Sequence, residues 1–168
     1  MLRRLKRRNW PERTIEIMNR RGAETQSFRE ITEPVIGACI EIHKAIGPGL
    51  LEPAYEECLG YELEQRGIQF VRQRPLPIHY KGVRLDCAYR LDLVVEEKVI
   101  LELKTVESLL PIHEAQLLTY LKLSGLTLGL LINFNVPVLR NGIKRLANNF
   151  ADTSAPLRLG GELREFSL

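Results

Sequence analysis

Hydrophobic positions along the chain change their period twice. Val35, Cys39, Ile42 and Ile46 recur at helical spacing behind Thr32-Glu33-Pro34, where the proline suits a first turn in which its missing N–H costs nothing. That helix is predicted to open at Thr32 and to stop at Gly47-Pro48-Gly49. A second is predicted from Glu52-Pro53 to about Arg66, with Tyr55, Leu59 and Leu63 as its apolar stripe and Gly67 as its C-terminal cap. Beyond Gly67 the period falls to two. Strands are predicted over 68–73, 76–80 and 83–89, with a turn at Lys81-Gly82, and then over 89–95 and 99–105, joined through Glu96-Glu97-Lys98. Pro111 to Ser124 returns to helix, closed by Gly125. The apolar run 127–134, ending at Asn133, reads as a buried strand, and 143–147 as a short further one. The order helix, helix, several strands, helix, strand predicts an α/β fold with a mixed central sheet flanked by helices.

The two strands around Glu96-Glu97-Lys98 carry the most information. With a three-residue loop, Val95 pairs with Val99 and Asp92 lies opposite Glu102. One face then holds Leu91, Leu93, Val95, Val99, Leu101 and Leu103, all apolar, and the other holds Asp92, Val94, Ile100, Glu102 and Lys104. A one-residue slip would mix the two sets, so the pattern itself favours this register.

With 168 residues the chain is long enough for one domain with one core. The net charge of +3 conceals an asymmetry. Residues 1–22 carry eight Lys and Arg against two Glu, a local net of +6, which leaves −3 for the rest. The expected division is a basic N-terminal extension over 1–28, a domain over 29–150 and a tail over 151–168. A basic arm suggests contacts with nucleic-acid phosphates; the plainer reading is a solvated extension. No apolar run is long enough to span a membrane and no apolar segment follows the basic start, so neither an anchor nor a secretory leader is expected. Cys39, Cys58 and Cys87 are odd in number and lack metal-ligand spacing, which fits reduced, buried thiols in a cytoplasmic protein.

Two carboxylates facing each other on antiparallel strands repel. Two acidic oxygens converging beside a lysine suit a hard divalent cation, commonly held by one or two carboxylates, with water and substrate phosphate in the other positions. Asp92 and Glu102 are therefore candidate ligands of Mg²⁺ or Mn²⁺, and Lys104 a candidate to orient a nucleophilic water or stabilise developing negative charge. The competing reading is a solvent-facing strand on which Lys104 screens both acids.

Asp92 followed by Glu102-Leu103-Lys104 resembles the D-x(n)-E-x-K core of the PD-(D/E)XK nuclease superfamily. Gly49-Leu50-Leu51-Glu52-Pro53-Ala54-Tyr55 resembles the signature of the GxxExxY protein family, which is placed within that superfamily. The resemblance runs from about Thr32 to Asn148. It implies a restriction-endonuclease-like core hydrolysing phosphodiester bonds of DNA or RNA, with Asp92 and Glu102 as metal ligands and Lys104 as catalytic lysine. Glu52 would be the acid supplied by the helical region, though helix capping alone accounts for an acid there. Gln116 and Tyr120, four apart on one helix face, resemble the Q-x-x-x-Y element of RecB-like nucleases, which abuts the active site. The residues before Asp92 do not spell the Pro-Asp of the superfamily's name. His43 and His113 are secondary candidates with structural readings of their own, and His79 reads as surface. The alternative to a nuclease is a non-catalytic nucleic-acid-binding or assembly module that keeps the fold; a phosphatase acting on a small phosphate ester is a third reading.

Overall fold

The computed structural model describes residues 12–86 and 89–148, with side chains from Gln26 onward. Three helices, α1 (Glu12–Ile46), α2 (Glu52–Gln65) and α3 (Pro111–Ser124), accompany seven strands: β1 (Phe70–Pro75), β2 (Ile78–Tyr80), β3 (Val83–Leu85), β4 (Arg90–Val95), β5 (Val99–Lys104), β6 (Leu128–Asn133) and β7 (Ile143–Ala147). The main sheet has the order β1-β4-β5-β6-β7, and β2 and β3 form a separate two-stranded ribbon. Only the β5–β6 pair is parallel, joined by α3 as crossover; β1–β4, β4–β5 and β6–β7 are antiparallel. The sheet is mixed, as the pattern predicts.

Helices cover both faces of the sheet. On one, Val35, Ala38, Cys39 and Ile42 of α1 and Tyr55, Leu59 and Leu63 of α2 meet Leu93, Val95, Val99, Leu101 and Leu103. On the other, Leu117, Tyr120 and Leu121 of α3 meet Leu91, Val94, Ile100 and Leu131. β5 is consequently buried on both sides for almost its whole length. At roughly 25 cal/mol per Å² of apolar surface removed from water, these two layers supply most of the drive to fold. Burial also pushes the Cys39 thiol up to about 12, so it behaves as a small hydrophobe. Cys58 is half-buried, and Cys87 lies outside the described residues.

The structure corrects three sequence expectations. The first helix starts at Glu12, well ahead of Thr32, and runs through Pro34. An interior proline removes one hydrogen bond and crowds the carbonyl four residues earlier, at a cost of about 3 kcal/mol. The offset lies in the packing: Phe28 and Ile31 extend the apolar stripe upstream of the proline and rest against the core. Thr32 is fully buried, and its hydroxyl accepts a 2.7 Å hydrogen bond from Arg145 of β7. Secondly, the strand predicted over 83–89 stops at Leu85 and, with β2, stays out of the main sheet. Thirdly, Leu91 packs on the α3 side, away from Leu93. The alternation breaks at Asp92, which has no cross-strand partner in either ladder. Gln73, which faces Asp92 by register on β1, has φ 49°, and a left-handed residue inside a strand turns the pleat over.

The hairpin register is the predicted one, with Val95↔Val99, Val94↔Ile100 and Leu93↔Leu101. Its turn places Glu96 and Glu97 at φ 51° and 53°, a pair of positive angles that Asn-Gly would adopt at little cost. The Glu97 carboxylate meets only Arg74 across an exposed ion pair, worth a few tenths of a kcal/mol, whereas a non-glycine residue in this conformation costs about 1 kcal/mol. Glu97→Gly is therefore expected to raise stability by roughly 0.5–1 kcal/mol in urea unfolding. A loss of stability would mean that the Arg74 pair outweighs the backbone strain.

Candidate active site

The polar residues singled out in the sequence gather where β4 and β5 part. Their ladder ends at Leu93↔Leu101, one pair short of Asp92 and Glu102. In the gap the Asp92 carboxylate takes over the role of a β4 carbonyl: its Oδ2 accepts the Leu103 N–H at 2.8 Å. Glu102 and Lys104 extend from β5, and the Lys104 ammonium donates to Glu102 Oε1 at 2.6 Å. Asp92 and Glu102 thus share one site with Lys104, though not as a regular facing pair.

Glu52 arrives from the other layer. It occupies the first turn of α2, and its Oε1 accepts the Thr105 N–H, the first backbone donor after β5, at 3.2 Å. The G-x-x-E-x-x-Y segment explains how it gets there. Gly49 has φ 107°, a conformation closed to other residues at reasonable cost. The Tyr55 hydroxyl donates to Gly47 O at 2.7 Å and accepts the Leu50 N–H at 3.2 Å, which pins the loop ahead of α2. The Tyr55 ring is fully buried and stacked on Phe134, with centroids 4.3 Å apart. The glycine makes the turn, the tyrosine locks it, and the glutamate is carried to the end of β5.

Electrostatics follow from this crowding. Burial, then the neighbouring Asp92, push the Glu102 carboxyl up to about 7, against the lowering effect of Lys104. Burial likewise raises Asp92, opposed by the Leu103 N–H and Lys104. For Lys104, burial acts to lower the ammonium, but its hydrogen bond to Glu102 and the field of Glu102, Glu52 and Asp92 outweigh it, and the net direction is up. Glu102 is only 3% exposed, and its second oxygen, Oε2, is buried without a hydrogen-bond partner among the described residues. An unpaired buried carboxylate oxygen is costly. A hard cation on that oxygen would remove the cost, so the donor set fits a divalent metal, with Asp92 and Glu102 as the protein's oxygens. Among the described residues, no three His, Cys, Asp or Glu form a metal-holding group by themselves. Two carboxylates completed by water and phosphate oxygens is the arrangement Mg²⁺ favours.

Gln116 and Tyr120 lie one turn apart on α3. Gln116 Nε2 donates to the Tyr120 hydroxyl at 2.6 Å, and Tyr120 lies within electrostatic range of Glu102, Lys104 and Asp92. The histidines lie elsewhere. His43 Nε2 bonds Val136 O at 2.8 Å, and His113 Nδ1 accepts the Leu110 N–H at the start of α3, so both hold backbone. His79 sits exposed on β2.

Two supporting residues escaped the sequence reading. Glu56, one turn after Glu52, is buried and accepts from Arg72 Nε at 3.0 Å and Gln73 Nε2 at 2.7 Å, which ties α2 to the distorted part of β1 facing Asp92. Asn133 pairs with Lys104 across β5–β6 and is 1% exposed. Its side chain accepts from Val106 N and Asn135 N and donates to Val106 O, fixing the segment that leaves β5. Its signal was a lone amide closing an apolar strand.

No helix among the described residues is long and apolar enough to cross a membrane. Among curated proteins and solved structures, none matches the chain. Against protein-family models, residues 29–146 match the PD-(D/E)XK nuclease superfamily, whose members are nucleases that generally use divalent metals. The matched span runs from the first core turn of α1 to β7 and contains every element that carries the site. A mixed sheet between helical layers, with an acid, an acid and a lysine at the parting of two strands, agrees with that match, and the chain belongs to the PD-(D/E)XK nuclease superfamily.

Proposed function

We propose that this protein is a Mg²⁺- or Mn²⁺-dependent nuclease that hydrolyses phosphodiester bonds at Asp92, Glu102 and Lys104. The observation that carries the reading is Glu102 Oε2, a buried carboxylate oxygen with no partner inside a cluster of acids. Bound there, a divalent cation supplies Lewis acidity toward the phosphodiester and the attacking water. Asp92 contributes an oxygen whose orientation is set by the Leu103 N–H, and Glu102 contributes the unpartnered one. Lys104, held as an ammonium, has protons beyond the one on Glu102 to present to the water or to the charge developing on the phosphate. Glu52 anchors the segment after β5 and adds negative field. Gln116 and Tyr120 bound the site on the α3 side. The GxxExxY segment is the device that delivers Glu52, which supports placing the chain in that family. The basic arm of residues 1–22 would add affinity for phosphates; its side chains lie outside the described residues. A non-catalytic module is the second reading. It is favoured by the ion pair that already engages Lys104.

Three measurements test the nuclease reading. Lys104→Ala is expected to retain metal binding yet lose cleavage of DNA and RNA in Mg²⁺ or Mn²⁺, by two orders of magnitude or more if its electrostatic role resembles that of other such donors, roughly 10²–10³. Wild-type turnover by this variant would remove Lys104 from the chemistry.

Metal binding is read without a substrate. A cation bound only by the folded state stabilises it by about 2.7 kcal/mol at a hundredfold excess over Kd. The wild-type Tm is expected to rise with added Mg²⁺ or Mn²⁺ at fixed ionic strength, and Asp92→Asn to respond much less. Equal responses would show that Asp92 is not a ligand.

In EDTA, Glu102 makes stability depend on pH. Its folded pKa, about 7, lies above the ordinary carboxyl value of 4.5, so between these limits the folded chain holds more proton than the unfolded one. The contribution is present below about pH 4.5 and is lost as pH rises through 7. The apo wild-type Tm is therefore expected to fall between pH 5 and 7.5 relative to Glu102→Gln, and metal to reverse the fall by binding the ionised form. Parallel pH profiles for the two proteins would disprove the shift.

A further inference from the structure

An open pocket of about 490 Å³ lies along α3, next to β2 and Tyr89. Its walls are Tyr89, Ile78 and the α3 residues Ile112, Gln116, Tyr120 and Leu123. Most of this lining is apolar. Ile112 is 67% exposed and Tyr89 49%. Tyr89 and Tyr120 meet edge to face, centroids 6.4 Å apart at 61°, which braces the Tyr89 ring and leaves half of it open. The polar groups in the pocket are few. Gln116 donates one amide hydrogen to Tyr120, and among the described residues its amide oxygen and second N–H have no other partner.

Tyr120 links the pocket to the acidic cluster, because it packs in one core cluster with Leu91, the neighbour of Asp92, and with Ile100 of β5. Tyr120 lines the pocket and lies within electrostatic range of Glu102, Lys104 and Asp92. A ligand spanning both would place an anionic group at Lys104 and at a cation held by the carboxylates, and a flat, mostly apolar group with polar edges against the two rings. A nucleotide has that division between its phosphate and its base, and the volume lies within the usual range for small-molecule sites. A base inside a duplex has both faces covered and cannot enter. Aromatic rings that accept any base by its π-face, beside a phosphate-binding centre, are the common means of holding single strands.

We propose that this pocket receives one unstacked nucleobase next to the bond being cut, stacked on Tyr89, so that the substrate is single-stranded or locally opened nucleic acid. The proposal rests on the nuclease reading for its phosphate position, and its test separates the two. The full-length protein is titrated, in EDTA and again in Ca²⁺, with a short single-stranded oligonucleotide carrying one 2-aminopurine, and with the same sequence as a duplex. Wild type is expected to prefer the single strand and to change the 2-aminopurine emission on binding. Tyr89→Ala is expected to bind the single strand roughly tenfold more weakly, the loss of one stacked base, and to lose the emission change. Tyr61→Ala, an exposed tyrosine on α2 outside the pocket, should match wild type. An abasic nucleotide in place of the fluorescent one should weaken wild type and add little to Tyr89→Ala.

Unchanged affinity and emission in Tyr89→Ala, equal binding of duplex, or no binding of single strands would overturn the proposal. A Tyr89→Ala variant that differs from wild type in sedimentation rather than in oligonucleotide binding would overturn it too, by giving the pocket to a second copy of the chain. Stacking without cleavage in Mg²⁺ or Mn²⁺ would leave the pocket standing and sink the nuclease reading; cleavage insensitive to Tyr89 would do the reverse.

Discussion

A carboxylate on a strand covered from both sides is the constraint from which the site follows. β5 is nearly all apolar because α1 and α2 lie on one of its faces and α3 on the other. Glu102 sits in that strand because the backbone ladder to β6 holds it there, against the cost of removing a charge from water. Lys104 offsets part of the cost through one oxygen, and the other oxygen has no hydrogen-bond partner among the described residues. Burial and the neighbouring Asp92 together raise the pKa of this carboxyl. Strain of this kind persists only where the surrounding structure enforces it, and functional centres are where it is found.

The enforcing structure can be traced residue by residue. Asp92 belongs to β4 yet pairs with neither neighbour, so its carboxylate is free to replace a ladder carbonyl and cap Leu103. The break is matched on β1 by the left-handed Gln73, and Gln73 is itself tied to Glu56 on α2. Glu52 and Asn133 then secure the chain as it leaves β5, from the helical layer and from the neighbouring strand respectively. Each tie crosses from one element to another. The arrangement of acids therefore depends on the whole sandwich, and a variant that loosens α2 would disturb a site it does not touch.

Much of the fold was legible in the sequence. The apolar alternation around Glu96-Glu97-Lys98 settled the hairpin register, because a slip by one residue would have exposed every core side chain on one face. The continuous run at 128–133 marked a strand buried on both sides, and Gly125 with φ 74° ended α3 as expected. That Asp92, Glu102 and Lys104 gather at one place was legible because charged residues are conspicuous in an apolar hairpin. Pro34 misled, since local propensity favours a helix start there while the stripe through Phe28 and Ile31 continues past it. Leu91 misled because period two assumes an unbroken pleat.

What the sequence determined by itself was most of the elements, the register of the β4–β5 hairpin and the acids that stand out in it. These rest on short-range periodicity, which one chain displays in full. Only the tertiary structure decided that Asp92 caps Leu103, that Glu52 closes on Thr105, that the histidines serve backbone groups and that Glu102 keeps one oxygen alone. Apart from the His113 contact at the start of α3, each of these is a contact between residues far apart in the chain, or the lack of one. Burial and hydrogen-bond partnership are properties of the space between elements, and no periodicity along a single strand or helix encodes them.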